Sequence, residues 1–163
     1  MDTADLIRRA TAAGITIATA ESCTGGMIAA ALTDIPGSSA VVDRGVVTYS
    51  NAAKMQMLGV TAETLDAVGA VSEEVAAEMA EGAVRNAGVT IAVSVTGIAG
   101  PGGSEFKPEG RVCFGLARDR QKTITETVEF GAIGRDKVRT AARDRALELL
   151  AQAISQIERE TGS

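Results

Sequence analysis

The apolar run at residues 89–95, "VTIAVSV", constrains this chain more than any other stretch, because it reads as a central strand buried on both faces. Such a strand needs helices above and below it. Residues 2–13 supply the first, with Leu6, Ile7 and Ala10 on one helical face and Gly14 as a stop. Residues 15–20 read as a strand, 27–32 as a helix broken by Pro36 and Gly37, and 41–49 as a second strand. A helix capped at Ser50 or Asn51 runs to Leu58, a short one covers 62–67, and another covers 72–86, with Ser72 at its start. Residues 111–117 and 122–130 form a hairpin across "RDRQ", and a long helix from about 135 to 158 closes the chain. Helices separate the first three strands, which can therefore run parallel, whereas the short connections at the end force one strand to reverse. The expectation is a single domain over 1–163 of the α/β class, with helices on both faces of a mixed, mostly parallel five-stranded sheet.

Composition narrows what such a fold can do. The chain is 45% hydrophobic, yet its only aromatic residues are Tyr49, Phe106, Phe114 and Phe130, so the core must be aliphatic and alanine-rich, with helices packed close to the sheet. A net charge of -5 without a basic stripe argues against nucleic acid as a partner. The charged N-terminal stretch "MDTADLIRRA" has no apolar signal core and no later segment reaches the length of a membrane span, so a cytoplasmic location away from the membrane is expected. Cys23 and Cys113 lie far apart outside any CxxC spacing, which disfavours a disulfide. The chain contains no histidine, and this removes the Ser-His-Asp and Cys-His triads along with the usual zinc sites. A hydrolase built from these residues needs lysine, a carboxylate or tyrosine as its base.

In an open sheet, ligands bind beyond the carboxyl ends of the parallel strands. Three features collect there: the stretch "AESCTGG" after the first strand, "TYSNAAK" after the second, and "TGIAGPGGSEFKPEG" after the third. Ser22 lies on a strand-to-helix turn where free amides of Thr24, Gly25 and Gly26 are expected to point outward with the positive end of the helix dipole. Taken alone, Ser22 or Thr24 reads as a helix cap. Cys23 is the rival nucleophile, ranked lower because no histidine can deprotonate it and free cysteine usually packs inward. Lys54 falls in the first turn of the next helix, where the dipole disfavours positive charge and gives the lysine a reason for a lowered pKa. Alone, it reads as a solvated lysine and Tyr49 as a strand-end tyrosine. With Ser22 they make a Ser-Lys-Tyr set. The third stretch holds five glycines and two prolines in fifteen residues, permitting close backbone approach to a ligand, but it lacks both the dinucleotide fingerprint and the phosphate-loop pattern.

These residues resemble a known family, the CinA C-terminal domain, whose members include the PncC-type nicotinamide-nucleotide amidohydrolases. "AESCTGG", "GSSAVVDRGVVTYSNAAKMQMLGV", "GAVSEEVAAEMAEGA" and "SVTGIAGPGGSEFKPEG" match its signatures in order and spacing over nearly the whole chain. The resemblance implies a three-layer α/β/α sandwich, and hydrolysis of the carboxamide of nicotinamide mononucleotide to nicotinate mononucleotide and ammonia in pyridine nucleotide salvage. It implies no metal and no cofactor, a small nucleotide as partner, and Ser22, Tyr49 and Lys54 as the catalytic set. A homo-oligomer is expected. Many relatives carry an N-terminal molybdopterin-binding-like domain with pyrophosphatase activity, an activity not expected of these residues. Two departures stand out: "GPGGSEFKPEG" is one residue shorter than the usual form, and Glu109 stands where valine is common.

The expected mechanism has neutral Lys54 accepting the Ser22 proton directly or through Tyr49, while amides at Thr24, Gly25 or Gly26 hold the oxyanion. Thr96, Gly97, Gly100, Ser104 and Arg111, with Lys107, are candidates for substrate contacts and the ribose phosphate. The competing reading is a non-catalytic nucleotide-binding or competence-associated protein, which would have no need of the Ser22, Tyr49 and Lys54 set.

Overall fold

The computed structural model describes residues 2–162 and contains one mixed sheet of β1 (Ile17–Glu21), β2 (Val42–Val47), β3 (Ile91–Gly97), β4 (Arg111–Arg118) and β5 (Ile124–Glu129). Their spatial order is β2-β1-β3-β4-β5. β1 pairs in parallel with both β2 and β3, and β4 is the reversed strand, antiparallel to β3 and β5. Among the described residues the helices are α1 (Thr3–Ala13), α2 (Met27–Thr33), α3 (Asn51–Leu58), α4 (Ala62–Val68), α5 (Glu73–Ala87) and α6 (Arg135–Glu160), with a 3-10 turn at Ser38–Ala40 that no sequence signal announced. The sheet reversal and the two-sided helical cover agree with the expectation.

β3 shows why the helices fit so closely. Its Ile91, Val93 and Val95 face the larger core, where Leu6, Ile28, Val138 and Ile154 from α1, α2 and α6 pack. Ala92 faces the opposite core, with Val75, Met79 and Ala83 of α5. On that same side the Ser94 hydroxyl donates to the Ala76 carbonyl at 2.5 Å. Large residues thus fill one face of the strand, and small ones let α5 lie almost on the backbone of the other. α3 comes equally close to α5. A Cβ added at Gly82 would fall 1.9 Å from the Leu58 carbonyl oxygen, so only glycine at this point of α5 admits the end of α3.

Strand boundaries shift where pairing continues past the apolar residues. β3 extends to Gly97 because Thr96 and Gly97 still pair with Cys113 and Val112 of β4. β1 includes Glu21, which pairs with both Val47 and Val95. β2 stops at Val47, so Tyr49 lies beyond the strand rather than at its end. No helix among the described residues is long and apolar enough to cross a membrane.

Candidate active site

The three parallel strands end together, and their exits line one cleft of about 310 Å3 that contains Ser22, Tyr49, Lys54 and the loop from Thr96 to Glu105. Ser22 is fixed from both sides. Its amide donates to the Val95 carbonyl at 3.0 Å, and the preceding Glu21 carbonyl accepts from the Thr48 amide at 2.8 Å, so the turn is tied to the exits of β3 and β2.

Lys54 lies on the inward face of α3 and is only 2% exposed. Ser50 caps the helix, its hydroxyl accepting from the Ala53 amide at 3.0 Å. The Lys54 Nζ stands 3.0 Å from Ser22 Oγ and donates to the Thr48 carbonyl at 2.8 Å. A neutral lysine can satisfy both neighbours: one N–H serves the carbonyl, and the lone pair faces the serine hydroxyl. Its pKa is lowered, chiefly by burial, against the opposing influence of Cys23 and Glu105. The expected direction is therefore present, but the leading cause is desolvation rather than the helix dipole.

Cys23 is buried at 5% exposure, and desolvation pushes its thiol up to about 11. It is a protonated thiol near neutral pH, a poor nucleophile beside Ser22.

Several expected contacts are corrected. The amides at the start of α2 are not free: Gly25 donates to the Ser22 carbonyl at 3.0 Å, while Gly26 and Ile28 donate to Oε1 of Glu21 at 3.1 Å and Ala29 donates to its Oε2 at 3.0 Å. The Glu21 carboxylate, 1% exposed, occupies the helix terminus that was expected to receive an oxyanion or phosphate. The Cys23 and Thr24 amides have no acceptor on another described residue; the Cys23 amide approaches its own thiol and Cys23 lines the cleft, whereas Thr24 is fully buried and does not. Arg111 is not a lining residue of the cleft; it pairs with Glu129 across the β4–β5 ladder. The Lys107 ammonium is held by the carbonyls of Val68 and Val71, which anchors the loop rather than offering a free cation. Thr96 lines the cleft, but its hydroxyl donates to the Ala70 carbonyl at 2.9 Å. Gly97, Gly100 and Ser104 do line it.

Tyr49 is 61% exposed, and its hydroxyl accepts from Arg135 Nη2 at 2.8 Å, which puts its hydrogen bond at the cleft mouth rather than on Lys54. Arg135, the first residue of α6, also donates through Nη1 to the Gly100 carbonyl at 2.7 Å. Sequence reasoning missed it. The available signal was a basic residue at the N-terminal position of a helix, where the dipole gives it no favourable place and a function elsewhere has to account for it.

The departure at Glu109 has a structural role: its carboxylate accepts from the Gly102 amide at 2.6 Å and closes the glycine-rich loop. Gly100 packs against the same carboxyl, and its left-handed backbone, at φ 92, is what favours glycine there.

Comparison with known proteins now bears on this geometry. The family model described as CinA C-terminal domain matches residues 2–154. The chain belongs to this family. It is 54% identical over 146 residues to the nicotinamide-nucleotide amidohydrolase PncC of Escherichia coli strain K12, covering 89% of this chain and 88% of that protein. A CinA-like protein of Chlorobium phaeobacteroides is also 54% identical over 146 residues, but there the chain spans only 34% of the relative's length. Among solved structures, the competence/damage inducible protein CihA from Agrobacterium tumefaciens superimposes with a TM-score of 0.87 at 48% identity, covering 95% of this chain and 96% of that one. A CinA superfamily protein from Escherichia coli gives a TM-score of 0.88 at 38% identity, over 92% of this chain and 87% of that one.

Proposed function

We propose that the chain hydrolyses the carboxamide of nicotinamide mononucleotide, releasing ammonia and nicotinate mononucleotide, with Ser22 as nucleophile and Lys54 as its base. The observation that carries the reading is the buried 3.0 Å contact between Ser22 Oγ and Lys54 Nζ on the wall of the cleft, in a chain without histidine. The Escherichia coli relative matched along most of both chains is a nicotinamide-nucleotide amidohydrolase, which supports this choice of substrate.

In this mechanism Ser22 Oγ bonds to the amide carbon as its proton passes to Lys54 Nζ. The amide of Cys23, which lines the cleft beside Ser22, holds the oxyanion of the tetrahedral intermediate, in place of the Gly25 and Gly26 amides that the fold already engages. The C–N bond then breaks and Lys54 returns the proton to the departing ammonia. Water attacks the resulting ester, Lys54 takes its proton, and the proton passes to Ser22 Oγ as the acyl bond breaks. The carboxylic acid product ionises in solution.

Arg135 is the cation for the phosphate. Two of its five N–H donors serve Tyr49 and Gly100, leaving donors for an anion at the cleft mouth. Tyr49 orients this guanidinium. The test is ammonia release from nicotinamide mononucleotide, free nicotinamide and nicotinamide adenine dinucleotide, with a chelator present. Fastest release from the mononucleotide, unaffected by chelation, supports the reading. Equal rates on free nicotinamide, or release from none of the three, would sink it in favour of a binding protein.

A further inference from the structure

We infer that Glu105 is a specificity-determining residue of the cleft, a carboxylate on the wall of the cleft that also holds Ser22 and Lys54, which selects a substrate whose carboxamide sits on a positively charged ring. The inference rests on the proposed amidase reading and adds to it the charge of the group beside the scissile amide.

Ser104 and Lys107 exchange backbone hydrogen bonds, the Ser104 amide donating to the Lys107 carbonyl at 3.0 Å and the Lys107 amide to the Ser104 carbonyl at 2.8 Å. Glu105 and Phe106 are the two central residues of this tight turn, at φ 52 and φ 64. A two-residue turn with both central residues left-handed ordinarily uses asparagine, aspartate or glycine, so glutamate and phenylalanine here carry a steric cost. The turn is nevertheless anchored, because the Lys107 ammonium is tied to the carbonyls of Val68 and Val71. Room for the carboxylate comes from Gly69, where a Cβ would fall 2.2 Å from Glu105 Oε2.

The two turn residues differ at the cleft. Both border a recess beside Gly69 at the end of α4, but Glu105 alone of the two also lines the cleft with Ser22 and Lys54, and Phe106 is fully exposed. The Glu105 charge reaches the reactive pair, since it is one of the influences that raise the Lys54 pKa against burial. Glu105 Oε2 shares the space beside Gly69 with the Lys107 ammonium, the two atoms lying 2.2 and 3.2 Å from the position a Cβ would take there, and that ammonium is already engaged by the Val68 and Val71 carbonyls. The cleft therefore offers one carboxylate beside the chemistry and one guanidinium, Arg135, at its mouth. The ligand complementary to that arrangement is a zwitterion with its cation next to the amide and its anion at the far end. A pyridinium ribose phosphate has this layout, and an uncharged aromatic amide does not.

The experiment compares nicotinamide mononucleotide with its 1,4-dihydro form, which keeps the carboxamide, ribose and phosphate but has an uncharged ring. Affinities are measured in Ser22→Ala protein, so that the different amide reactivities of the two rings do not enter. The expected result is about tenfold tighter binding of the charged form, with Glu105→Gln bringing the ratio close to one by weakening that form alone. Phe106→Ser, which alters the same turn outside the cleft, leaves the ratio unchanged. An unchanged ratio in Glu105→Gln, or equal weakening of both forms, overturns the assignment. Ammonia release by the unmodified protein is read in parallel. Turnover without a charge preference removes the Glu105 role alone, charge preference without turnover removes the amidase reading alone, and binding of neither form overturns both.

Discussion

The Ser22 turn and the loop at residues 97–110 line the same cleft and are held by opposite means. Ser22 is 7% exposed and Glu21 1%, and their backbone is bonded to Val95 and Thr48, so the turn is continuous with the sheet. The loop has backbone bonds of its own at Ser104–Lys107 and Ile98–Gly110, and side chains tie it down: Glu109 reaches back to Gly102, and Lys107 to the carbonyls of Val68 and Val71. A group that must attack within a few tenths of an ångström is built into the core, and groups that recognise the rest of the ligand ride on exposed backbone that a few charges hold in place. If the division is real, substitutions in the turn should act on turnover and substitutions in the loop on affinity.

The largest expected effect is at the nucleophile. Ser22→Ala should lower kcat by at least roughly three orders of magnitude with an unchanged circular dichroism spectrum, while Cys23→Ala keeps most activity. Complete inactivation by a thiol-alkylating reagent, with activity surviving in Ser22→Ala, would reverse their order and dissolve the contrast between the two regions.

Lys54 gives the next largest effect. Lys54→Arg should lose roughly 100-fold or more in kcat, nearly as much as Lys54→Met, because a guanidinium keeps the charge but cannot take a proton. For the wild type, kcat/KM should rise with pH through a limb below the ordinary lysine value of 10.5, since only the neutral amine accepts the Ser22 proton. Stability follows from the same shift. The folded state binds fewer protons at Lys54 than the unfolded chain, so wild-type stability falls as pH drops from 10.5 toward the lowered value. Lys54→Met lacks this loss, and thermal unfolding should show its margin over the wild type widening over that window as pH falls. A margin independent of pH would mean that Lys54 is not held neutral.

The two regions also differ in how far the sequence revealed them. The mixed sheet and its helix cover were legible because Val93 and Ala92 report opposite faces of one buried strand, and Gly14 and Gly59 stop helices where expected, whereas the strand order was not. Ser22 and Lys54 were legible as a pair because parallel strands bring their exits together. Glu21 was not: a carboxylate at the end of an apolar strand looks like surface chemistry until the fold turns it inward onto the amides of Gly26, Ile28 and Ala29. Arg135 was hidden because its partners Tyr49 and Gly100 are distant in sequence, and Arg111 looked available only until its register opposite Glu129 was known. Local pattern reports which face a residue occupies, and long-range ion pairs decide which charges remain for a ligand.

The smallest predicted effect sharpens the contrast most directly. Glu109 touches none of the reacting groups, and its carboxylate fixes the amide of Gly102 while packing where any side chain at Gly100 would have to go. Removing it in Glu109→Ala frees the segment that presents the Gly100 carbonyl to Arg135. A charge-assisted hydrogen bond at an exposed site contributes about 1 kcal/mol, which corresponds to about a fivefold change in binding. KM for the mononucleotide should rise by about that factor, with kcat within about twofold of wild type, because the Ser22 turn is tied to β3 and β2 and not to this loop. Steady-state kinetics on this one variant therefore distinguishes the two designs. A fall in kcat with KM unchanged would mean that the loop positions the reacting atoms, and that both regions belong to one rigid site.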